Sequence, residues 1–123
     1  MAATRTIDIR TEIPGPRSRE ILARAQHAIA KPLRVYVPIF AAKALNATIT
    51  DVDGNTFVDF AGGVGVVNVG HCNPRVVDAI QEQAAQFVHT DFTVVPYESY
   101  IEVAERLGAL APFTGPTRAG FFN

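Results

Sequence analysis

Apolar residues recur at three- and four-residue steps in three stretches of this chain, and each stripe predicts an amphipathic helix. The first carries Ile21, Leu22, Ala25 and Ile29 and runs from about Pro16 or Arg17 to about Ala30. Pro32 ends it, because a proline ring cannot continue the hydrogen-bond ladder. The second opens on Asn73-Pro74, a capping residue followed by proline at the first helical position. Its apolar face is Val76, Val77, Ile80, Ala84, Phe87 and Val88. The third runs from about Tyr97 to about Leu110, with Tyr100, Ile101, Ala104 and Leu107 on its inner side.

Between the first two helices the pattern changes. Leu33 to Ala44 reads as extended chain, with Pro38 barring its middle from a central strand. Ala47 to Val52 and Thr56 to Phe60 read as two strands flanking Asp53-Gly54-Asn55, where glycine and asparagine supply the positive φ of a tight hairpin. Ala61 to Gly70 sets Gly62, Gly63, Gly65 and Gly70 among valines, too much glycine for a quiet strand. Such glycines permit the backbone to approach either a ligand or another chain closely. Met1 to Ile13 is polar and aperiodic, and is expected to be a mobile arm. Ala111 to Thr117 is a Pro/Gly loop, and Arg118 to Phe122 reads as the opening of a strand. An apolar strand opening makes an aggregation-prone chain end, so a truncated sequence is expected rather than a finished edge strand.

Composition narrows the class of function. Of 123 residues, 48% are hydrophobic and 19% charged, which fits one folded domain rather than a disordered chain. The formal net charge of -1, with no Lys/Arg cluster, gives no field for a phosphate backbone, so nucleic acid is excluded as a partner. The single cysteine, Cys72, leaves no intramolecular disulfide and no Cys-based zinc site. No run reaches the roughly 20 apolar residues that cross a bilayer, and Met1 to Glu12 lacks a signal-peptide core. A cytoplasmic protein with no membrane partner is the expectation.

No motif in the chain completes a catalytic constellation. Asp51-Val52-Asp53-Gly54-Asn55 has the look of a calcium loop, but Thr56 and Gly62 stand where an EF-hand needs glycine and glutamate. Gly63-Val64-Gly65-Val66-Val67-Asn68 lacks the third glycine of a dinucleotide fingerprint, and the next helix begins too late. His27, His71 and His89 have no partner at metal-ligand spacing and read as structural residues. Cys72 lies just ahead of a helix, without a base identified beside it. From the residues alone the chain is a soluble α/β piece with a glycine-rich close-approach segment.

Several blocks nevertheless stand in one familiar order. Gly15-Pro16-Arg17-Ser18-Arg19-Glu20-Ile21-Leu22-Ala23-Arg24 and Pro38-Ile39-Phe40 come first. Asp51-Val52-Asp53-Gly54-Asn55 then runs through Phe57, Asp59 and Phe60 into Ala61-Gly62-Gly63-Val64-Gly65-Val66-Val67-Asn68-Val69-Gly70-His71. Asn73-Pro74-Arg75-Val76-Val77 and His89-Thr90-Asp91-Phe92 follow. Over residues 15 to 123 this resembles the N-terminal part of class III pyridoxal-phosphate aminotransferases of the 4-aminobutyrate type. The resemblance implies the N-terminal segment of a fold-type I transferase: a leading helix, a small antiparallel hairpin or meander, two helices and the start of the large-domain sheet. It implies a mobile arm over 1–14, a small-domain segment over 15–70, and over 71–123 the approach to the cofactor domain.

The same resemblance implies site roles. Gly62, Gly63 and Gly65 would lie near the substrate mouth, with Val64 against the substrate chain. Thr93 falls where 4-aminobutyrate enzymes often carry a longer polar side chain, a departure that bears on substrate identity. Asn123 would lie beside the turn that cups the cofactor phosphate. The family's covalently linked lysine, its aspartate at the pyridine nitrogen and its carboxylate-binding arginine have no counterpart here; Lys31 and Lys43 occupy neither motif position. The implied whole is a homodimer or tetramer that moves an amino group from an ω-amino acid to a 2-oxo acid on pyridoxal 5'-phosphate. The isolated chain is expected to be inactive. A non-catalytic dimerisation module and a class III aminomutase or racemase relative are the alternatives.

Overall fold

The computed structural model describes residues 6–122, and the chain falls into two compact units, Met1–Ala79 and Ile80–Asn123. In the first unit α1 (Pro16–Ala28) precedes three strands, β1 (Ala41–Leu45), β2 (Thr48–Asp51) and β3 (Thr56–Val58). They form one antiparallel sheet in the order β1-β2-β3. Thr48 faces Val58 and Thr50 faces Thr56 across the hairpin, which turns through 52–55 as its Gly54 (φ 84°) predicts. The sequence did not single out β1. It pairs Leu45 with Thr48 and Lys43 with Thr50, with a register shift between Ala41 and Lys43, and it starts clear of Pro38.

The centre of this unit is polar. Among the described residues no apolar side chain is buried, whereas Ser18, Asp51 and Asn55 are. Asp51 Oδ1 accepts from the N–H groups of Asp53 (2.9 Å) and Asn55 (2.8 Å), and Asn55 Nδ2 donates to Asp51 Oδ2 (2.9 Å). Asn55 Oδ1 in turn accepts from Arg10 N (2.7 Å) and Thr11 N (2.9 Å). Asp8 exchanges both backbone hydrogen bonds with Thr56. Asp8 is therefore held at the start of β3 and Arg10 and Thr11 at the turn before it, and the expected mobile arm does not extend to them. The contacts that hold them lie some 45 residues away in sequence and leave no local signature.

Asp53 does a second job from the same turn. Its Oδ1 accepts from Arg17 N (2.7 Å), and its Oδ2 from Ser18 N (2.9 Å) and Ser18 Oγ (2.6 Å). The Arg17 and Ser18 amides are ones that the first turn of α1 would otherwise leave unpaired. Gly15, at the N-cap, makes the approach feasible: a Cβ there would stand 2.3 Å from Asp53 Cγ. The hairpin turn thus caps the helix from a distance, a role that neither the turn chemistry nor α1's own sequence announces.

After β3 comes a single left-handed turn, labelled α2 (Gly62–Gly65), then α3 (Pro74–Gln86), where Arg75 N donates to Asn73 Oδ1 (3.1 Å), the cap expected of Asn73. In the second unit α4 (Glu98–Leu110) starts after Tyr97. Phe92 stacks on Tyr100 with centroids 4.0 Å apart, and Phe121 meets Tyr100 edge-on at 4.7 Å. Residues 118–122, read as a strand opening, form no strand, because no described segment offers them a ladder. No helix among the described residues is long and apolar enough to cross a membrane.

Candidate functional site

The glycine-rich segment leaves β3 through Asp59, whose N–H donates to Ala47 O (2.9 Å) and so fixes the residue against the sheet. From there the side chain reaches forward. Asp59 Oδ1 accepts from Ala61 N (2.9 Å) and Gly62 N (3.0 Å), and Oδ2 lies 2.7 Å from His71 Nε2. The His71 hydrogen bond, and then the N–H of Gly62, hold the Asp59 carboxyl below the usual carboxylate range. His71 is itself pinned by two backbone hydrogen bonds with Asn46, at 2.8 and 2.9 Å. Gly70 lies against the same residue: at φ 84°, a Cβ would stand 3.0 Å from Asn46 Cα.

Between these anchors the backbone reverses hand. Gly62, Gly63, Val64 and Gly65 have φ of 52°, 63°, 62° and 80°, four consecutive positive values. Val66 N and Val67 N both donate to Gly62 O at 2.9 Å, which closes the turn. Glycine enters the left-handed region freely, but a β-branched residue there is an outlier. Val64 is that residue, and it is 94% exposed at the tip. The sequence offered close approach as the reason for these glycines. Within this chain handedness is the reason shown, since a Cβ at Gly62 or Gly65 would meet nothing within 4 Å.

Thr93 belongs to the second unit, where it is exposed. Its N–H (2.9 Å) and hydroxyl (2.6 Å) both donate to Asp91 Oδ1. The Thr93 hydroxyl is the main cause that lowers the Asp91 carboxyl. Asn123 lies outside the described residues. Of the residues marked by sequence, then, Gly62, Gly63, Val64 and Gly65 form one turn. The Asp59–His71 pair that frames it was missed, because twelve residues separate the partners and only the Asn46 bridge brings them together. Cys72 is exposed, with φ 51°. Among the described residues no three metal-ligating side chains cluster.

The family described as aminotransferase class-III matches residues 29–121. The chain belongs to the class III aminotransferases. It is 44% identical over 113 residues to a 4-aminobutyrate aminotransferase from Mycobacterium tuberculosis, covering 92% of this chain and 25% of that protein. A 5-aminovalerate aminotransferase from Pseudomonas aeruginosa is 40% identical over 82% of this chain and 24% of its own length. Among solved structures, an omega-transaminase from Sphaerobacter thermophilus superposes with a TM-score of 0.69 at 27% identity, covering 80% of this chain and 23% of that one. The chain spans about a quarter of the length of the curated relatives it matches.

Class III aminotransferases work through pyridoxal phosphate, and the residues present here do not by themselves make a seat for it. A lysine that serves an aldehyde cofactor is activated by desolvation or by a neighbouring charge. Lys31 and Lys43 are both exposed, and neither forms an ion pair among the described residues. What the chain does present is a left-handed turn carrying one exposed valine.

Proposed function

We propose that this chain is the N-terminal part of a pyridoxal-phosphate-dependent aminotransferase that takes its amino group from an ω-amino acid and gives it to a 2-oxo acid such as 2-oxoglutarate. The match of residues 29–121 to the aminotransferase class-III family carries the reading. Relatives named for 4-aminobutyrate and for 5-aminovalerate support a linear ω-amino acid of four or five carbons as donor. Residues 15–70 are the small-domain segment and 71–123 lead toward the cofactor domain, in a protein that works as a homodimer or tetramer in the cytoplasm.

In this reading the chain supplies substrate walls rather than reacting groups. When bound, the cofactor provides the carbonyl that accepts the amino group and the ring that draws off its electrons. Val64 offers apolar surface to the donor's methylene chain, on a turn whose handedness is fixed before substrate arrives. Thr93, shorter than the polar residue that 4-aminobutyrate enzymes often carry at its position, bears on which donor is taken.

The test is an assay of the protein purified from its natural host, with 4-aminobutyrate and 5-aminovalerate as donors and 2-oxoglutarate as acceptor. Glutamate formation with at least one donor is expected, abolished by removing pyridoxal phosphate. Failure of both donors would sink the reading. The isolated 123-residue chain is expected to give no turnover even with added cofactor, and measurable turnover there would show that its own residues suffice.

A further inference from the structure

We infer that Asp59 and His71 are positioning residues for the donor: together they hold the Gly62–Gly65 turn left-handed and thereby set where Val64 meets the substrate chain. The inference rests on the role proposed above for Val64. It starts from a turn that its own backbone closes, Val64 N donating to Ala61 O (2.8 Å) and Val66 N and Val67 N to Gly62 O (2.9 Å), while holding one residue in a strained conformation. Three glycines have many backbone states open to them, and the one residue that restricts the choice, Val64 at φ 62°, prefers to leave. Contacts outside the turn that fix its entry and exit would add to these hydrogen bonds in keeping its hand.

The Asp59 carboxylate is placed to do so. One oxygen takes the N–H groups of Ala61 and Gly62 and fixes the direction in which the chain enters the turn. The other meets His71 at 2.7 Å, just beyond the segment's far end. Both partners are locked to the sheet through backbone, Asp59 to Ala47 and His71 to Asn46, at the connection between β1 and β2. The Asp59 and His71 side chains are 7% and 22% exposed, whereas Val64 is exposed. A fixed polar base carrying a bare apolar tip is what a chain-length gauge needs. A small displacement of the base moves the tip without touching any reacting group.

The discriminating quantity is the ratio of kcat/KM for 4-aminobutyrate to that for 5-aminovalerate, two donors that differ by one methylene. One methylene in an apolar site is worth about 10- to 200-fold. In the holoenzyme, Asp59→Ala is expected to change this ratio about tenfold, in the same direction as Val64→Ala. The double variant should change it no more than the larger single variant, because both act through one contact. Asp59→Asn, which still offers an acceptor to the two N–H groups, should hold the ratio within about threefold of wild type. A purely structural role would lower the yield of folded enzyme and leave the ratio alone.

An unchanged ratio in folded Asp59→Ala, or effects that simply multiply in the double variant, would overturn the inference. Should Asp59→Ala fail to fold, His71→Ala leaves Asp59 its two backbone partners and must shift the ratio in the same direction; an unshifted ratio there is equally fatal. A wild-type protein that turns over neither donor removes the proposed function and this inference together. An active wild type with an insensitive ratio removes the inference alone.

Discussion

Gly15 shows how much one missing methyl group can carry. It ends the approach to α1 with its carbonyl already accepting from Arg19 N (2.9 Å), and its α-carbon faces the Asp53 carboxylate. A methyl group in that space would overlap the carboxyl carbon rather than a flexible side-chain end. Either Asp53 withdraws from the first turn of the helix or the turn moves off the helix. Overpacking of this kind costs about 1–3 kcal/mol. Gly15→Ala is therefore expected to raise hydrogen exchange at the Arg17 and Ser18 amides by roughly 5- to 150-fold, the same energy read as an equilibrium. Unchanged protection at those two amides would show that the site relaxes without releasing the cap.

At the scale of elements, α1 and the hairpin are joined by charge-assisted hydrogen bonds, and the joint is sensitive to acid. Desolvation pushes the Asp53 carboxyl up, but the Ser18 hydroxyl and the Arg17 and Ser18 amides outweigh it and hold it below its ordinary value. A carboxyl depressed in the folded state stabilises fully above its unfolded pKa, near 3.9. That contribution is lost as pH falls through the lower folded value. Asp59, lowered by His71 and by the Gly62 amide, follows the same rule. Amide protection in the first turn of α1 should hold from neutral pH to about pH 4 and fall below it. Asp53→Asn should lower protection at neutral pH and flatten this acid limb at α1, while the limb at Ala61 and Gly62 persists. Parallel loss at both places in the variant would mean that acid acts on the whole fold instead.

The elements also show what a sequence can and cannot disclose. The three long helices and the hairpin were legible, because periodicity, Asn73-Pro74 and Asp53-Gly54-Asn55 are local signals. Pairing beyond the hairpin was not legible. β1 hides in a proline-bearing extended run, and residues 8–11 looked free because their partners, Asn55 and Thr56, lie far along the chain. The site was half legible. Its glycines stood out at once, but composition says only that some unusual φ or close contact exists. It does not say that four residues in a row turn left, nor that Asp59 and His71 close on each other behind them.

For the whole molecule the decisive fact is the absence of a buried apolar side chain among the described residues. The apolar faces read from the sequence are present but uncovered. Ile80 and Val88 on and beyond α3 are 62% and 87% exposed, and Leu110 at the end of α4 is 81% exposed. Fully burying one such side chain contributes about 1.5–3 kcal/mol, so the polar hub around Asn55 works without the main source of folding free energy. The chain spans about a quarter of the length of the relatives it matches, and within it these faces are uncovered. The isolated 123-residue chain is accordingly expected to bind a hydrophobic dye strongly, to self-associate at micromolar concentration and to melt without a cooperative transition. Calorimetry alongside sedimentation would check this. A monomer with one sharp transition near the roughly 0.7 kcal/mol per residue typical of globular domains would mean that hydrogen bonds at Asp51, Asp53 and Asn55 alone sustain a cooperative fold, and the exposed faces would need another explanation.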